Sequence, residues 1–190
     1  MKALKNLPDG YQEIFSVDLQ KDKKIAVLVN ILALIIAVVL LIPANFKIPI
    51  LTFFDVHQQN YGIKLLAVFA SLLAYIILHE IVHGIAMKIC GTQKVKYGFT
   101  GLYAFAGSED YYNKKSYIFI ALAPIVFWGI VLAVINVMVP IQWFWGVYFI
   151  QVMNLSGAAG DCYVTVKFLR LPKDILVKDS GIGMKVYSKQ

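Results

Sequence analysis

Two histidines and a glutamate stand in one short run, His79-Glu80-Ile81-Val82-His83, the HExxH spacing. In a helix, residues four apart lie on one face, one turn apart. Two imidazoles so placed can reach one Zn²⁺ at about 2.0–2.1 Å. Glu80, next to the first of them, can take a proton from a water that the metal acidifies and later deliver it to a leaving amine. That is the chemistry of peptide hydrolysis.

A catalytic zinc needs a third protein ligand and an open position. The carboxylates after His83 are Glu109, Asp110, Asp161, Asp174 and Asp179. Asp161 fits best. It closes the run Asn154-Leu155-Ser156-Gly157-Ala158-Ala159-Gly160-Asp161, whose small residues permit close helix approach. Counted from Trp143 it lies about 27 Å along a helix, in the layer of His83. A solvated aspartate at a helix end is the alternative. Glu109 and Asp110 fall in a loop and are weaker choices. Asn154 faces either the site or a neighbouring helix, and an interhelical hydrogen bond is the simpler role.

These residues sit in a very apolar chain. Of 190 residues, 59% are hydrophobic and 15% charged, against about 45–50% and 25% in soluble domains. Mean hydropathy is +0.70. Disorder, collagen and soluble coiled coil are excluded, and an α-helical membrane protein is indicated. Four runs are long enough to cross a bilayer: 25–43, 65–87, 117–139 and 141–160. The HExxH run lies near the end of the second. Three ionisable groups within five residues of a span are costly, so a chance occurrence is disfavoured. The competing reading is a helix end whose His and Glu reach into the headgroups. Pro124, in the third run, frees a backbone carbonyl and bends its helix. That could open room for substrate or water, though packing is the simpler reason.

The first 24 residues are polar and of mixed charge, unlike a signal peptide. Residues 1–24, 88–116 and the tail after 160 carry sixteen Lys and Arg, while 44–64 carries two. The positive-inside rule therefore expects an integral plasma-membrane protein with both termini in the cytosol, in contact with membrane lipid. This topology accounts for the net charge of +7 without nucleic acid. Trp143 and Trp145 suit an outer interfacial belt. Between and after the spans the sequence predicts a small cytosolic β-element. Residues 95–106 read as a hairpin, and 175–178 and 184–187 as strands around Gly181 and Gly183. Phe15, Val17 and Leu19 alternate as in a strand, although Tyr11, Ile14 and Phe15 suit a surface helix equally. Cys90 and Cys162 form no metal or redox motif and read as small apolar side chains.

The motifs LHEIVHGIAMK at 78–88, GLYAFAGSEDYYNKKSYIFIALAP at 101–124, and NLSGAAGD followed by LRLPKD resemble a known family over nearly the whole chain. It is the bacterial family of integral-membrane putative zincin peptidases, distantly similar to site-2 proteases. The resemblance implies His79 and His83 as zinc ligands, Glu80 as base and Asp161 as third ligand. Site-2 proteases usually have prolines and a final Asp-Gly at the last position; here no proline is present and Cys162 follows Asp161. The function expected is a zinc-dependent metalloprotease of membrane-protein or peptide substrates near the cytosolic face. The hairpin could hold an extended substrate by strand addition, with Val95 and Tyr97 as contact positions alongside Asn154. A non-catalytic zinc-binding membrane scaffold or regulator would need the ligands but not Glu80. An ion carrier is disfavoured by the absence of paired halves. A prenyl-protein-type zincin is disfavoured by the lack of a downstream helical glutamate.

Overall fold

A computed structural model describes residues 3–18, 21–57, 60–101 and 103–189. The chain is mostly helical with a small β-sheet. Three helices are long and apolar enough to cross a membrane: α1 (Lys23–Lys47), α2 (Tyr61–Ile89) and α3 (Lys114–Met138). At 1.5 Å per residue they run about 38–44 Å. Their apolar side chains point outward. The most hydropathic window of α1 has none of its residues buried, and those of α2 and α3 only 17% and 22%. In water that arrangement would expose large apolar patches, whereas lipid is a matching solvent for it.

The fourth apolar run is not one helix. It divides into α4 (Phe144–Gly157) and α5 (Ala159–Leu169), with Ala158 at the joint. Gly157 and Gly160 flank the joint, and glycine costs about 1 kcal/mol relative to alanine inside a helix. Ala158 and Ala159 are both buried, so the break is packed. At 14 residues, α4 is short for a span by itself. It lies against α1, α2 and α3.

The strands are β1 (Tyr11–Val17), β2 (Lys96–Phe99), β3 (Ala104–Gly107), β4 (Tyr111–Asn113), β5 (Leu176–Asp179) and β6 (Met184–Lys189). They form an antiparallel sheet ordered β1-β6-β5-β4 and a separate β2–β3 hairpin. The first segment is thus strand and not helix, because β6 offers it a partner edge from Tyr11↔Lys189 to Val17↔Met184. Leu19 lies outside the described residues. Hairpin and tail strands fall within one or two residues of expectation. The unanticipated strand is β4, which runs straight into α3. Asn113 caps that helix by accepting from the Ser116 N–H at 2.9 Å.

One core joins the sheet to the helix ends. Val177 and Val186 of the sheet pack with Met87 of α2, Ile120 of α3 and Phe168 of α5. A second cluster, Ala44, Phe53, Val68 and Trp145, closes the other end. Trp145 is therefore buried and not part of an interfacial belt. Its ring stacks among Phe53-linked aromatics, and its indole N–H donates to the Ile48 carbonyl at 3.2 Å. Trp143 stays exposed.

Candidate metal centre

The HExxH run forms part of α2, with His83 buried and His79 and Glu80 half-buried. The ligand atoms of these three residues all lie within 4.8 Å of one another. Facing them is Asp161, carried in the first turn of α5, where the positive end of the helix dipole favours a carboxylate. Asp161 Oδ2 stands 3.7 Å from His79 Nε2 and 3.6 Å from His83 Nε2. Zinc bonds of about 2.0–2.1 Å at tetrahedral angles place ligand atoms about 3.3–3.4 Å apart. The carboxylate thus needs to close on each imidazole by a few tenths of an ångström to share one Zn²⁺ with it, and the donor set suits that ion.

Each imidazole is also fixed at its other nitrogen. His83 Nδ1 lies 2.9 Å from the Ile120 carbonyl, which can only accept. Nδ1 therefore carries a proton, and in the neutral ring Nε2 is left with the lone pair that a metal ion would take. His79 Nδ1 lies 2.8 Å from the Tyr75 hydroxyl. Asn154 Nδ2 donates to the Ile125 carbonyl at 3.3 Å, which turns Asn154 Oδ1 toward Tyr75. The Tyr75 hydroxyl donates to that oxygen at 2.8 Å, so its own oxygen accepts from His79 Nδ1–H. Both histidines are thereby held in one tautomer, as metal-binding histidines generally are.

Glu80 faces the backbone N–H of Ala106 in β3. Strand β3 walls a cavity of about 510 Å³ into which Tyr75, His79, Glu80, His83 and Asp161 also open. A volume of this size suits several residues of a ligand. Tyr97 and Val95 lie outside its wall. Tyr97 is half exposed and rests on Gly84, where any Cβ would overlap its hydroxyl. Val95 packs on the sheet core. Asn154 is fully buried behind Tyr75.

The other carboxylates are engaged elsewhere. Lys178 and Lys96 pair with Glu109 at 2.8 and 2.7 Å and pull its carboxyl down to about 2. Asp110 pairs with Lys5 at 3.1 Å. Asp174 accepts from the Ser188 hydroxyl at 3.4 Å. Asp179 also opens on the cavity, but Tyr117 donates to one of its oxygens and the Gly181 N–H to the other. Burial raises its carboxyl above the ordinary value.

Tyr75, Ile120 and Tyr117 escaped the sequence reading. Tyr75 had a signal, a polar side chain one turn before His79 on the same face. Ile120 contributes only a main-chain atom, and Tyr117 meets a residue 62 positions away, so neither is visible in local spacing.

A family model described as "Putative zincin peptidase" matches residues 72–176, a stretch that includes Tyr75, His79, Glu80, His83 and Asp161. A Pyrococcus woesei protein described as "Uncharacterized 24.7 kDa protein in gap 5'region" is 29% identical over 119 residues. The match covers 60% of this chain and 51% of that protein, so the chain spans about half the length of that relative. No solved structure matches.

Proposed function

The chain belongs to the putative zincin peptidase family, and from that premise we propose that it is a zinc-dependent membrane metalloprotease. On this reading it cuts membrane-associated proteins near the cytosolic face. The observation that carries the proposal is the convergence of His79, His83 and Asp161 on one point beside Glu80, in a cavity walled by a strand. Zn²⁺, when bound by those three residues, lowers the pKa of water and polarises a carbonyl. Glu80 then takes the proton from the attacking water and passes it to the leaving amine.

Strand β3 serves the substrate. Helical carbonyls are hydrogen-bonded within their own helix, so cleavage needs an extended segment. Alternate residues of an antiparallel strand turn their backbone groups to the same side. Ala104 and Ala106 of β3 both line the cavity, so on this reading their outer main-chain groups lie along it. An extended peptide laid along that edge would pair with Ala104 and lie next to the ligands. Orientation follows the charge asymmetry, sixteen basic residues against two. Pairing of β1 with β6 supports it, since it brings both ends of the chain to the same side.

Glu80→Gln tests the reaction. Inside-out membrane vesicles from cells lacking the protein would be loaded with the wild-type or variant chain, and new protein N-termini mapped by mass spectrometry. Wild type should generate termini that Glu80→Gln does not, with zinc content equal in the two. Identical termini at equal zinc would instead indicate a zinc-binding scaffold.

A further inference from the structure

We infer that Pro124 is a positioning residue for the metal centre, acting through the Ile120 carbonyl to set the tautomer of His83. The inference rests on the metal reading above and adds a residue to it. In an uninterrupted helix the carbonyl of residue 120 would accept the N–H of residue 124. Residue 124 is proline, inside α3, and has no N–H to give. The Ile120 carbonyl is thus left without its helical donor in a segment where Ile120, Ala121 and Pro124 are all buried away from water. A buried, unpaired carbonyl is costly, and this one is met by the His83 Nδ1–H at 2.9 Å. Proton and lone pair on the imidazole are fixed by that choice: Nδ1–H toward α3, and Nε2 toward Asp161 at 3.6 Å.

An amino acid with an N–H at 124 would reverse the preference. The helix bond would reform, the carbonyl would lose its need for His83, and the imidazole would be released to either tautomer or to a turn about its axis. The test compares Pro124→Ala and Pro124→Val with wild type and with Pro43→Ala, which replaces the interior proline of α1. All are full-length chains in detergent. Histidine-selective ¹⁵N labelling reads the tautomer of His83 in the metal-free proteins, and competition with a chromophoric chelator reads zinc affinity. At a pH high enough to leave the ring neutral, wild type and Pro43→Ala should show His83 protonated at Nδ1 alone. Either Pro124 variant should show a mixture or the Nε2–H form, and bind zinc about 10–100-fold more weakly, the usual cost of losing an outer-shell partner. The metal-free thermal midpoint should hold or rise, since proline inside a helix is itself unfavourable; a merely structural proline would not lower affinity while the fold gained stability. Unchanged tautomer and affinity in both Pro124 variants would overturn the inference. Zinc failing to bind wild type would overturn the metal reading, while the tautomer measurement would still decide the role of Pro124.

Discussion

Asp161→Ala removes the carboxylate that reaches both imidazoles, and its expected cost can be worked out. Tetrahedral zinc sites in small domains are worth about 10–16 kcal/mol at neutral pH, so one ligand of four carries about 2.5–4 kcal/mol. Each 1.4 kcal/mol is tenfold, which gives a loss of about 10²–10³-fold in zinc affinity. Two features place the value toward the lower end. The Asp161 side chain is 28% exposed, and the cavity is open, so water can enter and occupy the vacated position. The two imidazoles stay fixed by Ile120 and Tyr75, so the remaining ligands keep their geometry. We therefore expect about 100-fold weaker binding in Asp161→Ala. Asp161→Asn should fall between, since an amide oxygen still coordinates but brings no charge. Asp179→Asn is the control: its carboxylate opens on the same cavity but is held by Tyr117 and Gly181, and zinc affinity should not change. The assay is chelator competition on purified protein. Wild-type affinity in Asp161→Ala, or a greater loss in Asp179→Asn, would refute the ligand assignment.

Two further predictions concern the hairpin that walls the site. A Cβ at Gly107 would overlap backbone atoms of Ser180 and Gly181, which cannot step aside, whereas one at Gly84 meets the tip of the half-exposed Tyr97. Gly107→Ala should cost about 1–3 kcal/mol in thermal unfolding and abolish cleavage, while Gly84→Ala should cost little because the helix gains alanine; equal midpoints in the two would count against rigid docking of β3 on the β5–β6 turn. Glu109, tied to Lys96 of β2 and Lys178 of β5, has a folded pKa of about 2. A lowered carboxylate pKa gives stability that is complete above the unfolded value of about 4.3 and lost as pH falls toward the folded one. Protection of the β2 amides, taken relative to intrinsic exchange, should therefore fall between about pH 4.5 and 2, and Glu109→Gln should flatten that dependence; the same profile in the variant would rule out the Lys96–Glu109–Lys178 link as its cause.

The chemical core of the site was legible because HExxH is a local pattern and its meaning depends only on helix geometry. Asp161 was legible for a different reason, since depth along an apolar run fixes which residues share a layer. The strands were legible from alternation and glycine turns, but not the pairing of β1 with β6, whose partners lie more than 160 residues apart. Hydropathy could not show the break at Ala158, because glycine is near neutral in hydropathy and does not interrupt an apolar window, although Gly157 and Gly160 weaken the helix on either side of the joint. Trp145 was misplaced for a related reason. Composition says that tryptophan favours an interface, but the aromatic cluster around Phe53 and the Ile48 carbonyl gave it a buried home.

One spacing joins these parts into a single device. On α2, Tyr75 and His83 are eight residues apart, about 12 Å along the axis. On the facing segment, Asn154 and Asp161 are seven residues apart, about 10.5 Å. Although the joint at Ala158 lies between them, Asn154 and Asp161 both face α2, through Tyr75 and through the two imidazoles. The two segments form matched rungs: Asn154 bonds Tyr75, Tyr75 bonds His79, and Asp161 faces both His79 and His83. A slip of one residue in either segment turns a polar group by about 100° into apolar surroundings, where an unpaired buried hydroxyl or amide costs about 1–3 kcal/mol. The register that satisfies Tyr75 and Asn154 is also the one that brings Asp161 to the imidazoles. The outer hydrogen bonds therefore select the helix register in which the proposed ligands converge, before any metal contributes its own binding energy.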